Sequence, residues 1–243
     1  MPFALEISEF FSNVRCIFRL FCDRIFLRKT SLFTGGVVMA KQLLVSISRT
    51  YGSGGHEIGR QLAERLGIGF VDRELLDHIA AEKGVDVKNL ERYDERLKLP
   101  FLSRTVRGHS NAPEEALAEM QFDYILKKAA AGESFVVIGR CGNQVLKDYE
   151  CLSTIFISGD MESRIDRITE IRGMDRAKAR AAIRRHDRAR RAYHNHYSSR
   201  KWNDLAAYDL VLNSSKLGIE NSIDAILHYL KLRDMLPEGA LDF

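Results

Sequence analysis

The run Leu43-Leu44-Val45-Ser46-Ile47-Ser48-Arg49-Thr50-Tyr51-Gly52-Ser53-Gly54-Gly55-His56-Glu57-Ile58-Gly59-Arg60-Gln61-Leu62-Ala63 joins an apolar strand, a glycine-rich turn and an amphipathic helix. Ile58, Leu62 and Leu66 recur at i, i+4 and i+8, the spacing of one helix face. Glycines at 52, 54 and 55 let successive backbone N–H groups point inward, and the helix behind them offers unpaired N–H groups and the positive end of its dipole. The stretch therefore reads as a phosphate cradle. A phosphate loop of the usual kind ends in Gly-Lys-Ser/Thr, whereas Gly55, His56 and Glu57 stand in those places.

Outward from this stretch, short apolar runs alternate with helical patterns: Leu43 to Ile47, Ile68 to Val71, Phe135 to Ile138, Thr154 to Ile157 and Tyr208 to Leu212. Near-continuous apolar strands separated by helices indicate a parallel sheet covered on both faces. Met161, Ile165 and Ile168 mark one covering helix, and Ile219, Ile223, Ile226 and Leu230 mark the last. The fold class is three-layer α/β. Between Ala80 and Pro113 the pattern gives way to charged, irregular sequence of the kind that forms a lid, a substrate-binding insertion or a disordered segment.

Residues 1–38 are rich in phenylalanine, but Arg15, Arg19, Asp23, Arg24 and Arg28 interrupt every apolar run before it could span a bilayer or form a signal-peptide core. Two readings stay open for this extension: an amphipathic surface element, or a segment outside a functional protein that begins at Met39. The whole chain, 243 residues and 45% hydrophobic, is long enough to bury one large core. Its net charge of +4 favours anionic ligands without requiring nucleic acid. Cys16, Cys22, Cys141 and Cys151 have neither metal-ligand spacing nor disulfide-scaffold density, which implies free thiols and a reducing, cytoplasmic setting.

The charge imbalance is local. Residues 172–191 carry nine basic side chains against two acidic ones, Asp175 and Asp187. A helix capped by Asp175 would line up Arg180, Arg184, Asp187 and Arg191. Arginines on one face suit phosphate oxygens, because each guanidinium is a permanently charged planar fork of donors. The aspartate among them would hold an arginine or accept from a sugar hydroxyl. Gly139-Arg140 follows the strand Phe135 to Ile138, placing Arg140 at the C-terminal strand ends where open α/β sheets bind ligands.

Taken in order, Ile47-Ser48-Arg49 through Gly59, Phe70-Val71-Asp72-Arg73-Glu74-Leu75, Val136-Val137-Ile138-Gly139-Arg140, Asp187-Arg188-Ala189-Arg190-Arg191, Trp202-Asn203-Asp204 and Tyr208-Asp209-Leu210-Val211-Leu212-Asn213 resemble the cytidylate-kinase-like family of P-loop kinases. The resemblance covers about residues 41–230. It implies a five-stranded parallel sheet of order 2-3-1-4-5, an insertion binding a nucleoside monophosphate, and an arginine-rich lid at about 172–204. It further implies ATP-dependent phosphoryl transfer to CMP or dCMP with Mg2+. By that analogy Gly52, Ser53, Gly54 and Gly55 would hold the ATP phosphates; from the residues themselves, Arg49 entering the loop and His56 and Glu57 at its end join the candidate phosphate site, and Ser53 or Glu57 is the candidate for the metal. Asp72 and Arg140 would hold the acceptor, with Arg184, Asp187 and either Arg190 or Arg191 in the lid. Three positions depart from the family pattern: Gly55 for the loop lysine, Cys141 for an aspartate after Gly-Arg, and His78 for a substrate arginine. Two alternatives stay open, a nucleotide-binding regulator without catalysis and a kinase acting on another small metabolite.

Overall fold

The computed structural model describes residues 41–82, 105–106, 109–110 and 113–236. The N-terminal extension and most of the irregular stretch between Ala80 and Pro113 lie outside them. Five strands form one parallel sheet: β1 (Leu44–Arg49), β2 (Gly69–Val71), β3 (Phe135–Ile138), β4 (Leu152–Ser158) and β5 (Leu210–Asn213). Their order is β2-β3-β1-β4-β5, the 2-3-1-4-5 arrangement that the resemblance implies. β1 lies at the centre, with Ile47 beside Ile138 on one side and Ile155 on the other. Thr105–Val106 and His109–Ser110 make a separate short antiparallel ladder.

Alternation along each strand divides the core between the two faces. Leu43, Val45 and Ile47, with Val136, Ile138, Ile155 and Ile157, bury one face against α1 (Gly55–Leu66) and α7 (Ser214–Leu232). Ile58 and Leu62 of α1 and Ile223, Ile226 and Leu230 of α7 are fully buried there, as their helical spacing predicts. Leu44, Phe135 and Val137 turn to the other face, where they meet Leu76 of α2 (Arg73–Glu82), Ile125 and Ala129 of α3 (Pro113–Ala130), and Leu146 just after α4 (Gly142–Val145). Both faces are covered, so none of the central strands needs a polar side.

A smaller cluster joins α5 (Met161–Arg172) to α6 (Arg176–Tyr197): Ile165 and Ile168 pack on Ala179 and Ile183. Asp175 caps α6, accepting from Lys178 N at 2.8 Å, which is the cap the sequence predicts. Gly173 turns the chain between the two helices with φ 61°. Beyond α6, Phe156, Trp202 and Tyr208 form an aromatic cluster, and the Tyr208 hydroxyl donates to Trp202 O at 2.9 Å.

Candidate active site

At the C-terminal end of β1 the chain enters the glycine turn and leaves it as α1. Gly54, at φ 76°, caps α1, and its carbonyl receives the N–H of Ile58 at 2.9 Å. Ser53 is buried; its hydroxyl donates to Thr50 O at 2.9 Å and accepts weakly from Gly55 N at 3.4 Å. Ser214 Oγ lies 2.6 Å from Ser53 O and 2.9 Å from Ser158 O, tying the turn to β4. The turn is thus fixed from beneath before any ligand arrives.

Its glycines serve packing as well as access. A Cβ on Gly54 would lie 2.5 Å from Ile219 Cδ1, and one on Gly55 would lie 2.6 Å from Arg49 Cβ. A side chain at Gly54 would therefore be strained by the φ of 76° and would have to displace the tip of Ile219 on α7.

Three arginines from three elements converge on this edge. Arg49 ends β1, Arg140 follows β3 in a left-handed conformation with φ 50°, and Arg190 reaches across from α6. Arg190 Nη1 donates to Arg49 O at 3.1 Å, and its guanidinium sits 5.4 Å from the centre of the Tyr51 ring. Arg140 lies 5.5 Å from the Tyr193 ring. Burial, and then the charges of Arg190 and Arg140, push the Arg49 guanidinium well below the usual arginine range, against an opposing pull from Asp72. Burial likewise lowers Arg190, with Asp187 and Tyr51 opposing. Arg49 Nε is buried without a hydrogen-bond partner among the described residues. Three half-buried cations close together, opposed by Asp72 and Asp187, make this edge a place where an anion is favoured.

Asp72 stands at the start of α2, directly after β2. Its Oδ1 accepts from Leu75 N at 3.0 Å and its Oδ2 lies 3.0 Å from His56 Nε2. Burial favours the neutral acid, but the Leu75 N–H and His56 outweigh it and hold the carboxyl below its ordinary range. The pair links the first turn of α1 to the start of α2, tying the glycine turn to Asp72.

The α6 helix docks onto the glycine turn through an aspartate that the sequence singles out and an arginine that it does not. Asp187 Oδ1 accepts from Tyr51 N at 2.7 Å, and Oδ2 is ion-paired with Arg164 Nη2 of α5. Arg164 Nε donates to Tyr51 O at 2.7 Å, and the His186 ring stacks on Tyr51 at 4.2 Å. Arg164 is buried, and the signal for it was present: it lies four residues before Ile168, on the apolar face of α5.

The same geometry separates residues that the sequence grouped. Ile183, Asp187, Arg190 and His194 face inward on α6, whereas Arg184 and Arg191 are exposed. Arg191 lies against Trp202 at 5.9 Å, so Arg190 is the member of that pair at the glycine turn. Arg180 pairs with Glu162 on the outer side of α5. Glu57 is held by Arg60 at 2.7 Å and by Gln61 at 2.5 Å along α1, and the Ser53 hydroxyl is engaged within the loop. Among the described residues no group of three His, Cys, Asp or Glu could hold a metal ion, so these side chains do not make a protein cage for Mg2+. Cys141 and Cys151 are free thiols, and burial pushes Cys141 up to about 12, out of reach of thiolate chemistry.

Residues 44–216 match the cytidylate kinase-like family. The chain belongs to that family. The cytidylate kinase of Archaeoglobus fulgidus is 26% identical over 192 residues, spanning 78% of this chain and 95% of that protein. The cytidylate kinase of Pyrobaculum aerophilum is 27% identical over 189 residues, spanning 77% and 92%. Among solved structures, an uncharacterized protein from Eubacterium ventriosum superimposes with a TM-score of 0.63 at 30% identity, covering 78% of this chain and 99% of that one. The family match runs from β1 to the start of α7 and takes in every element that builds the arginine site. No helix of the described residues is long and apolar enough to cross a membrane.

Proposed function

We propose that this protein transfers the γ-phosphoryl group of ATP to the phosphate of a nucleoside monophosphate, CMP or dCMP. The observation that carries the reading is the convergence of Arg49, Arg140 and Arg190 on the end of β1, beside the glycine turn and Asp72. The activity for which the curated relatives are named, cytidylate kinase, supports the choice of acceptor.

In this reading the backbone N–H groups at 52–57 and the start of α1 receive the ATP phosphates. Arg140 holds the acceptor phosphate, Asp72 accepts from the acceptor's polar edge, and Arg190 neutralises charge on the transferring group. An acceptor phosphate oxygen is already anionic, so the protein supplies position and charge in place of a general base. Asp187 keeps α6 closed on the turn, which excludes the water that would otherwise hydrolyse ATP. Mg2+, bound mainly by nucleotide phosphates and water, would neutralise the β- and γ-phosphate oxygens.

The test is ATP-to-ADP turnover by the full chain with Mg2+ and CMP, dCMP, UMP, AMP, GMP or no acceptor. Stimulation by CMP or dCMP well above the no-acceptor rate is the expected result. ATP binding without stimulation by any nucleotide would overturn the acceptor assignment and favour a regulatory role.

A further inference from the structure

The glycine turn lacks the lysine with which phosphate loops of its kind grip the β- and γ-phosphates. We infer that Arg49 is the replacement cation, and that Gly55 is a glycine because the Arg49 stem occupies the space of its side chain. The inference rests on the ATP-dependent reading above and names the group that meets the phosphates within it.

Three observations carry it. First, Gly55 stands at the lysine position, and a Cβ there would lie 2.6 Å from Arg49 Cβ and 3.0 Å from Arg49 Cγ. A lysine at 55 and the arginine stem at 49 therefore exclude each other. Second, a Cβ on Gly139 would collide with Arg49 Nη1 and lie 3.4 Å from Arg49 Cζ. The side chain thus runs from the donor turn at Gly55 to the turn that presents Arg140, with its stem at one and its guanidinium over the other. Third, Arg49 Nε is buried without a hydrogen-bond partner among the described residues, and the two largest charge influences on the side chain are arginines, with Asp72 opposing them.

A lysine would deliver one point charge from the helix start, whereas this arginine delivers a planar fork from the strand end. A fork at that place suits two neighbouring phosphoryl groups, the terminal phosphate of the donor and the phosphate of the acceptor. Arg190, bonded to Arg49 O at 3.1 Å, fixes the backbone from which the fork projects.

The experiment measures ATP binding by titration calorimetry, with ADP as a second probe, for the full chain and for R49A, R49K, G55K and the double variant R49G/G55K. Thermal unfolding checks that each is folded. R49A is expected to weaken ATP binding about 10- to 100-fold, the range for losing hydrogen bonds to a charged group, with a smaller loss for ADP. R49K should fall between R49A and the unaltered protein. G55K alone should lose ATP binding, while R49G/G55K should bind ATP more tightly than R49A, because removing the arginine stem makes room for the lysine. An unaltered protein that binds no ATP would overturn the ATP reading together with this inference. An unaltered protein that binds ATP, with R49A equally tight or R49G/G55K no better than R49A, would overturn the inference alone.

Discussion

Replacing Asp187 by alanine removes the group that holds α6 on the glycine turn. The carboxylate and its partner Arg164 are 16% and 7% exposed, so they form an ion pair largely withdrawn from water. Deleting one member of a buried pair costs about 3–5 kcal/mol, because the other charge stays behind without compensation. Arg164 keeps its bond to Tyr51 O, which places the cost at the lower end, about 3 kcal/mol. Loss of the acceptor for Tyr51 N adds about 1 kcal/mol. At about 2–4 °C per kcal/mol for a domain of this size, D187A should melt about 8–16 °C lower. D187N should recover part of this, since it keeps an oxygen for Tyr51 N but not the charge. R164M/D187L, which removes both charges, should melt closer to the unaltered protein than D187A does. Differential scanning calorimetry of these proteins, with R164M and R164M/D187A added to close the double-mutant cycle, reads the coupling. A D187A melting point within about 2 °C of the unaltered protein, or strictly additive effects of R164M and D187A, would refute the docking role.

Four further outcomes are expected. R140A should raise the acceptor KM and lower turnover while leaving ATP affinity nearly intact; unchanged acceptor kinetics would remove Arg140 from the site. G54V should abolish ATP binding and also lower the melting point, because φ 76° strains a branched residue and its Cβ would meet Ile219 at 2.5 Å; normal stability would contradict that packing. Burial holds the His194 imidazole below its ordinary pKa of about 6.5, so the unfolded chain takes up the proton first. This contribution is complete above about pH 6.5 and is lost as pH falls toward the folded pKa; H194Q should flatten the decline below about pH 6.5, and an unchanged slope would exclude it. Removing residues 1–38 should leave folding and ATP turnover intact, and aggregation or inactivity of the shortened chain would make the extension integral.

The parallel sheet, the helices that cover it and the glycine turn were legible because their signals are local. Runs such as Phe135 to Ile138 hold apolar residues at every position, which only a strand covered on both faces accommodates. Asp175 was readable as a cap because capping involves residues three positions apart. The charged residues followed a different rule. Nine basic side chains between 172 and 191 look interchangeable in sequence, and helical spacing favoured a stripe through Arg180, Arg184, Asp187 and Arg191.

The tertiary structure selected differently, because α6 turns the face that buries Ala179 and Ile183 on α5 toward the glycine turn. That rotation brings Asp187 and Arg190 inward and leaves Arg184 and Arg191 outside. Arg164 acquires its meaning only when α5 and α6 close around Tyr51. The sequence by itself determined the layered α/β fold, the glycine-rich turn and the arginine after β3, since strand, helix and turn preferences act over a few residues. The packing of α5, α6 and α7 on the sheet decided which cations face the turn and why position 54 is a glycine. The cations at the turn and the crowding at Gly54 depend on residues more than a hundred positions apart, whereas Gly55 is crowded by Arg49, six residues before it, once the turn has closed.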